Sequence, residues 1–188
     1  MSYETVTTGV DLDKGFHSDT VWDDIILLPY TIQGGTARPD KKTLIGNIDV
    51  YGFNGASTTE EMSGSFEIPH SYFVGSDLRP HIHWCADNAN AGDVKWQLEY
   101  SIFSVDNAPT TVVTLDAVDS TDDEDRVHKV VEFQVIDGTN INIGDIIGFR
   151  LFRDPTDAED TYGSDALFLS LGYHFLKNGD GSRGVFTK

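Results

Sequence analysis

Lys95-Trp96-Gln97-Leu98-Glu99-Tyr100-Ser101-Ile102 alternates without a break, with Trp96, Leu98, Tyr100 and Ile102 on one side and Lys95, Gln97, Glu99 and Ser101 on the other. Successive side chains of a strand point to opposite faces, so this stretch predicts a β-strand with one dry and one wet face. Working outward, short runs of the same kind recur at 22–28, 43–53, 64–69, 79–86, 111–115, 127–136, 146–153 and 166–176. Gly34-Gly35, Asn54-Gly55, Asn90-Ala91-Gly92-Asp93, Asp137-Gly138 and Gly163-Ser164 separate them, supplying the backbone angles that tight turns need. No stretch carries apolar residues at helical spacing, and residues 57–62 allow one helical turn at most. The segments 145–153 and 166–171 are apolar on both faces, which predicts cover by a partner subunit or by crossing loops. About nine strands without helices predict an all-β fold: a two-sheet antiparallel sandwich, with jelly-roll topology preferred. An immunoglobulin-like sandwich is disfavoured because the Cys…Trp…Cys pattern is missing.

A chain of 188 residues suits one domain with a real core. Residues 1–20 read as an N-terminal arm, with Tyr3, Val6, Val10, Leu12 and Phe16 as scattered apolar anchors. Residues 21–177 form the sandwich, and residues 178–188 read as a Gly-rich exit tail. Thirteen Lys and Arg against 31 Asp and Glu give a formal charge of −18, which repels nucleic acid and anionic membrane and favours docking on a basic surface. Cys85 is the single cysteine, so no internal disulfide forms, and its place in a strand pattern reads as a buried, inert thiol. No basic-then-apolar leader is visible and no segment approaches the roughly 20 apolar residues of a membrane span, so synthesis and assembly in the cytoplasm are expected.

The sharpest enzymatic pattern is His81-Ile82-His83, which puts two imidazoles on one face of a strand, where they can share a metal. Gly75 followed by His81 and His83 is similar to the opening of the first cupin motif, but the expected glutamate is replaced by Asp87 and Gly92 arrives too early. His81, His83, Asp87 and His174 make a candidate shell for a first-row metal, set against the plainer possibility that these rings brace the sheet. The acidic stretches 119–125 and 154–165 carry oxygen ligands of the type calcium prefers, with Asp157, Asp160 and Asp165 spread round a turn, although neither matches an EF-hand. No Gly-x-Ser-x-Gly elbow or phosphate-binding loop is present. Arg79, Arg150 and Arg153 are scarce cations in an acidic chain, and pairing with Asp77, Asp154 and Asp157 is expected of them.

Pro69-His70-Ser71-Tyr72 and Gly75-Ser76-Asp77-Leu78-Arg79-Pro80-His81-Ile82-His83-Trp84, with Trp96 to Tyr100, Gly144-Asp145, Phe152-Arg153-Asp154-Pro155, Asp165-Ala166, Gly172-Tyr173-His174 and Gly181-Ser182-Arg183, resemble a family of structural proteins of tailed-bacteriophage virions. The resemblance spans most of residues 66–188. It implies a non-enzymatic, oligomeric β-sandwich without a cofactor, foremost a trimeric capsid decoration (cement) protein that binds the major capsid protein or other virion proteins. Tail, collar and head-fibre roles are alternatives within the same class. Arg79, Trp84, Arg150, Arg153, Tyr3 and Phe16 are the structural or interface candidates. Two readings from other classes stand beside it: a cupin-like enzyme using His81, His83 and His174, and a carbohydrate-binding module using Trp22, Trp84 and Trp96 as aromatic platforms.

Overall fold

The computed structural model describes residues 20–29, 33–34, 37–56 and 59–182. The predicted arm with Tyr3 and Phe16, and the tail beyond Ser182, lie outside the described residues. The strands are β1 (Val21–Leu27), β2 (Gln33–Gly34), β3 (Asp40–Ile45), β4 (Ile48–Phe53), β5 (Glu60–Glu67), β6 (Leu78–Ala86), β7 (Asp93–Phe103), β8 (Val113–Ser120), β9 (Lys129–Glu132), β10 (Ile146–Arg153) and β11 (Ala166–Lys177). There is no helix among the described residues that is long and apolar enough to cross a membrane.

One sheet runs β3-β4-β11-β6-β9 and the other β2-β5-β10-β7-β8, with every pairing antiparallel. From β4 to β11 the chain changes sheet at each connection except β7 to β8. The orders β4-β11-β6-β9 and β5-β10-β7-β8 are the two interlocked Greek keys of a jelly roll. β1 is an addition to that body: it pairs antiparallel with the C-terminal half of β11, from Val21 opposite Lys177 to Leu27 opposite Leu171. β4 occupies the same side of β11 farther back, opposite residues 166–168.

The dry faces close on an aromatic core. The Phe53 ring meets Trp96 edge-on at 5.1 Å, and Trp84 meets Trp96 at 6.0 Å. Phe66 lies 4.5 Å from Tyr173 toward the other end. Burying rings of this size contributes most of the drive for sheet packing, and truncating one to Ala costs about 3–5 kcal/mol.

The expected strand 43–53 is a hairpin, β3 and β4 joined at Gly46-Asn47. Gly46 adopts a φ of 57°, the left-handed region where a Cβ is penalised, so a two-residue turn forms there. Glu60 to Met62, expected to turn helically, open β5, whereas residues 57–58 lie outside the described set. The chain itself covers much of the outer apolar surface of the strands apolar on both faces, while Ile146 stays exposed. Arg150 lies 4.1 Å over the outward ring of Phe152, and outward Leu167 packs with Val50 and Cys85 beside Leu44 and Leu169. Burial pushes the Cys85 thiol up to about 11, so it remains a protonated packing group.

Candidate functional site

The outer face of the larger sheet carries the chemistry. On β1 the inward residues Ile25 and Leu27 pack on the core, which turns Trp22, Asp24 and Ile26 outward. On β11 Leu171, Tyr173 and Phe175 face in, so Gly172 and His174 face out. On β6 Leu78, Ile82 and Trp84 face in, so Arg79, His81 and His83 face out. Register then aligns them: Asp24 is opposite His174, His174 opposite Arg79, Gly172 opposite His81, and His81 opposite Glu132 of β9.

Gly172 makes the arrangement possible. A Cβ there would overlap the His81 ring, lying 2.5 Å from its Cε1, and would come within 3.2 Å of Asp24 Oδ1. With no side chain in the way, His81 lies down over β11 and becomes 99% buried on a nominally outer face, at 1% exposure. His174 stacks on it at 4.1 Å with the planes 20° apart, and His83 meets it edge-on at 5.1 Å. His81 Nε2 is 3.7 Å and His174 Nε2 4.0 Å from Asp24 Oδ2. His81 Nδ1 is 3.4 Å from the Arg79 carbonyl, to which it donates in the tautomer that leaves Nε2 as an acceptor. Asp24 Oδ1 is buried without a hydrogen-bond partner.

Electrostatics follow from this crowding. Burial first, then the neighbouring His174, holds His81 below the ordinary histidine range, with Asp24 acting in the opposite direction. His83 is likewise lowered, by burial and then by His81 and His128. Its Nδ1 hydrogen-bonds His128 Nε2 at 2.8 Å, one ring donating and the other accepting.

Beside the cluster, Trp22, Arg79, Glu132 and His174 line an open cleft of about 440 Å³. Trp22 is 55% exposed, and the Arg79 guanidinium sits 5.8 Å from its ring centre and 3.4 Å from Glu132.

Asp24, His81 and His174 are the one group of three His, Cys, Asp or Glu side chains among the described residues whose ligand atoms all lie within 4.8 Å of one another. The proposed shell of His81, His83, Asp87 and His174 is therefore brought together only in part. His83 is turned to His128, and Asp87, just past the end of β6 and roughly 20 Å from His81, pairs with Arg126 at 2.8 Å. Asp24 replaces it. A glycine inside a strand next to His174 signals a close approach, but no local pattern names β1 as the partner of β11.

The acidic loops are occupied by the protein's own cations. Asp157 is 3.6 Å from Lys95 Nζ, Asp160 grips Arg153, and Asp165 is 2.5 Å from Lys42 Nζ, so this trio does not converge as a calcium site. In the other loop Asp122 pairs with Lys129, and Asp119 accepts from Trp84 Nε1 at 2.9 Å. Arg79 and Arg150 find cross-strand partners rather than Asp77, Asp154 or Asp157, Glu132 for the one and Glu61 and Glu99 for the other, while Arg153 pairs with Asp160 in the loop that follows it. Trp84, Trp96 and Arg153 are fully buried, so none of them forms a binding platform or interface contact on this chain.

No family model matches the sequence, and no curated protein matches it. Among solved structures the chain is similar to the CBM35 from Cellvibrio japonicus Abf62, at 11% identity and a TM-score of 0.46 over 85% of this chain and all of that one. It is similar to the CBM36-1 domain of a multidomain xylanase from the hindgut metagenome of Trinervitermes trinervoides, at 12% identity and a TM-score of 0.40 over 87% of this chain and all of that one. A chain of the infectious bursal disease virus Gx strain matches at 10% identity and a TM-score of 0.44, over 91% of this chain and 35% of that one. Likenesses this distant say nothing about ligand or partner.

Proposed function

We propose that this chain is a non-enzymatic structural protein of a tailed-bacteriophage virion, with capsid decoration as its specific role. The observation that supports this most is where the motif residues go: they form the joints of the framework. Arg153 ties β10 to the 160–164 loop and to β4, Trp84 anchors Asp119 of β8, Gly172 seats His81, and Tyr72 donates to the Ser76 carbonyl. A motif set used for rigidity suits a module that works by contact. In the decorated particle, trimers bridge major capsid subunits, each added contact burying on the order of 1,600 Å². The strongly acidic composition selects a basic docking face. Purified chain added to heads that lack it is expected to cosediment with them and to delay their thermal rupture. Cosedimentation with tails alone, or with neither, overturns the decoration role.

A second reading, a carbohydrate-binding module, draws on the cleft. Its volume lies within the roughly 300–1,000 Å³ of small-ligand sites, and it pairs an exposed aromatic with charged hydrogen-bonding groups. A glycan array bound by the wild type and not by Trp22→Ala supports it, and a blank array removes it.

A further inference from the structure

We propose that Asp24, His81 and His174 form a binding site for one first-row divalent metal ion, zinc foremost, which staples β1 to β11 and β6. The proposal stands apart from the virion reading and survives its failure.

The cluster is electrostatically incomplete as it stands. In the tautomer whose Nδ1 hydrogen points at the Arg79 carbonyl, His81 turns an Nε2 lone pair toward Asp24 Oδ2 at 3.7 Å. Two acceptors then face each other with no hydrogen between them. His174 Nε2 approaches the same oxygen at 4.0 Å, and Asp24 Oδ1 is buried and unpartnered. A buried acceptor such as Asp24 Oδ1 is costly in this state, and a cation at the centre of the cluster offsets that cost.

The donor set fits a metal. Two imidazole nitrogens and a carboxylate are the ligands of three-residue zinc sites, with water in the fourth position. Bonds of about 2.0–2.2 Å place tetrahedral ligand atoms roughly 3.3 Å apart, so the separations of 3.7 and 4.0 Å to Asp24, with all three ligand atoms within 4.8 Å of one another, close with side-chain shifts of at most about 1.5 Å. The His81 contact to a backbone carbonyl is the outer support that fixes a ligating imidazole and its tautomer. Calcium is a poor fit, because it takes six or more oxygens. The ligands come from three strands, and one of them, β1, lies outside the eight-stranded body. Binding therefore fastens an added strand to the sheet.

The test is equilibrium dialysis of the full chain against zinc, with cobalt(II) as the spectroscopic probe. The wild type is expected to bind one zinc per chain and to develop visible cobalt absorption. His174→Ala, which removes a partly exposed ring, and Asp24→Asn are expected to weaken zinc at least 100-fold with an unchanged circular dichroism spectrum. His128→Ala is expected to stay within about threefold of the wild type. No stoichiometric binding by the folded wild type overturns the proposal. So does binding that persists in both ligand variants, or binding that disappears in His128→Ala, which would place the ion at the neighbouring His83–His128 pair.

Discussion

Two polar clusters in this protein each place an aspartate beside nitrogen-bearing side chains and end in opposite states. At one end of the sandwich Arg153 is fully buried, yet each of its five N–H groups has an acceptor: both Asp160 oxygens at 2.8 and 2.7 Å, Phe53 O at 3.1 Å, Ser164 O at 2.7 Å, and Tyr162 O. Asp160 also accepts from the Lys95 amide at 3.0 Å. On the outer face of the other sheet, Asp24, His81 and His174 crowd together with acceptors facing acceptors and one carboxylate oxygen unpartnered. A saturated buried network has nothing left to offer a ligand and acts as a rivet. An unsaturated one is where the protein remains open to a partner.

The largest expected effect lies at the rivet. Arg153→Met leaves Asp160 buried without its cation, which should cost about 3–5 kcal/mol and, at roughly 2–4 °C per kcal/mol for a chain of this size, lower the melting temperature by roughly 6–20 °C. A melt within 2 °C of the wild type would break the contrast at its stronger side, since about 0.5 kcal/mol is the scale of a surface change.

Gly172→Ala comes next. The new methyl collides with the His81 ring, and an overpacking penalty of about 1–3 kcal/mol is expected, measured as a shift in urea midpoint without a change in slope. Restored stability in a Gly172→Ala, His81→Ala double variant would show that the collision is the cause.

Acidification distinguishes the clusters further. Burial in the fold lowers the proton affinity of His81 and His83, whereas the unfolded chain takes up their protons near about 6.5. The unfolded state thus binds more protons, and the stability is fully present above that value and is lost as pH falls through the depressed folded values. Glu60, raised by burial, acts in the opposite direction nearer the carboxylate range. Unfolding midpoints at pH 7 and pH 5.5 should differ in the wild type and differ less in His83→Asn; equal slopes in the two proteins would contradict the assignment.

The smallest effect is expected from His174→Ala in a chelating buffer, within about 0.5 kcal/mol of the wild type, because the ring is partly exposed and completes no hydrogen-bonded network.

The sandwich was legible in the sequence because its cause is local. Strict alternation in residues 95–102 reports one dry face, and β7 spans that stretch. The pairing of strands is a long-range event. Trp22, Asp24 and Ile26 alternate plainly, but nothing within β1 says that it docks on β11, some 150 residues on, as Asp24 opposite His174 requires. Two of the three residues of the cluster, His81 and His174, were therefore visible, and Asp24 was not. Asp87 misled because proximity in sequence along a strand means distance in space. Arg79 and Arg150 misled in the same way, since their partners lie across the sheet.

The most direct measurement is a set of melting curves for the wild type, Arg153→Met and His174→Ala, each in a chelator and in zinc at about 100 times the wild-type dissociation constant. In the chelator, His174→Ala should melt with the wild type and Arg153→Met far below both. Zinc should raise the wild type by about 2.7 kcal/mol, or roughly 5–10 °C, and leave His174→Ala where it was. A His174→Ala chain that melts as low as Arg153→Met in the chelator, or that gains as much from zinc as the wild type, would contradict the division into a closed rivet and an open site.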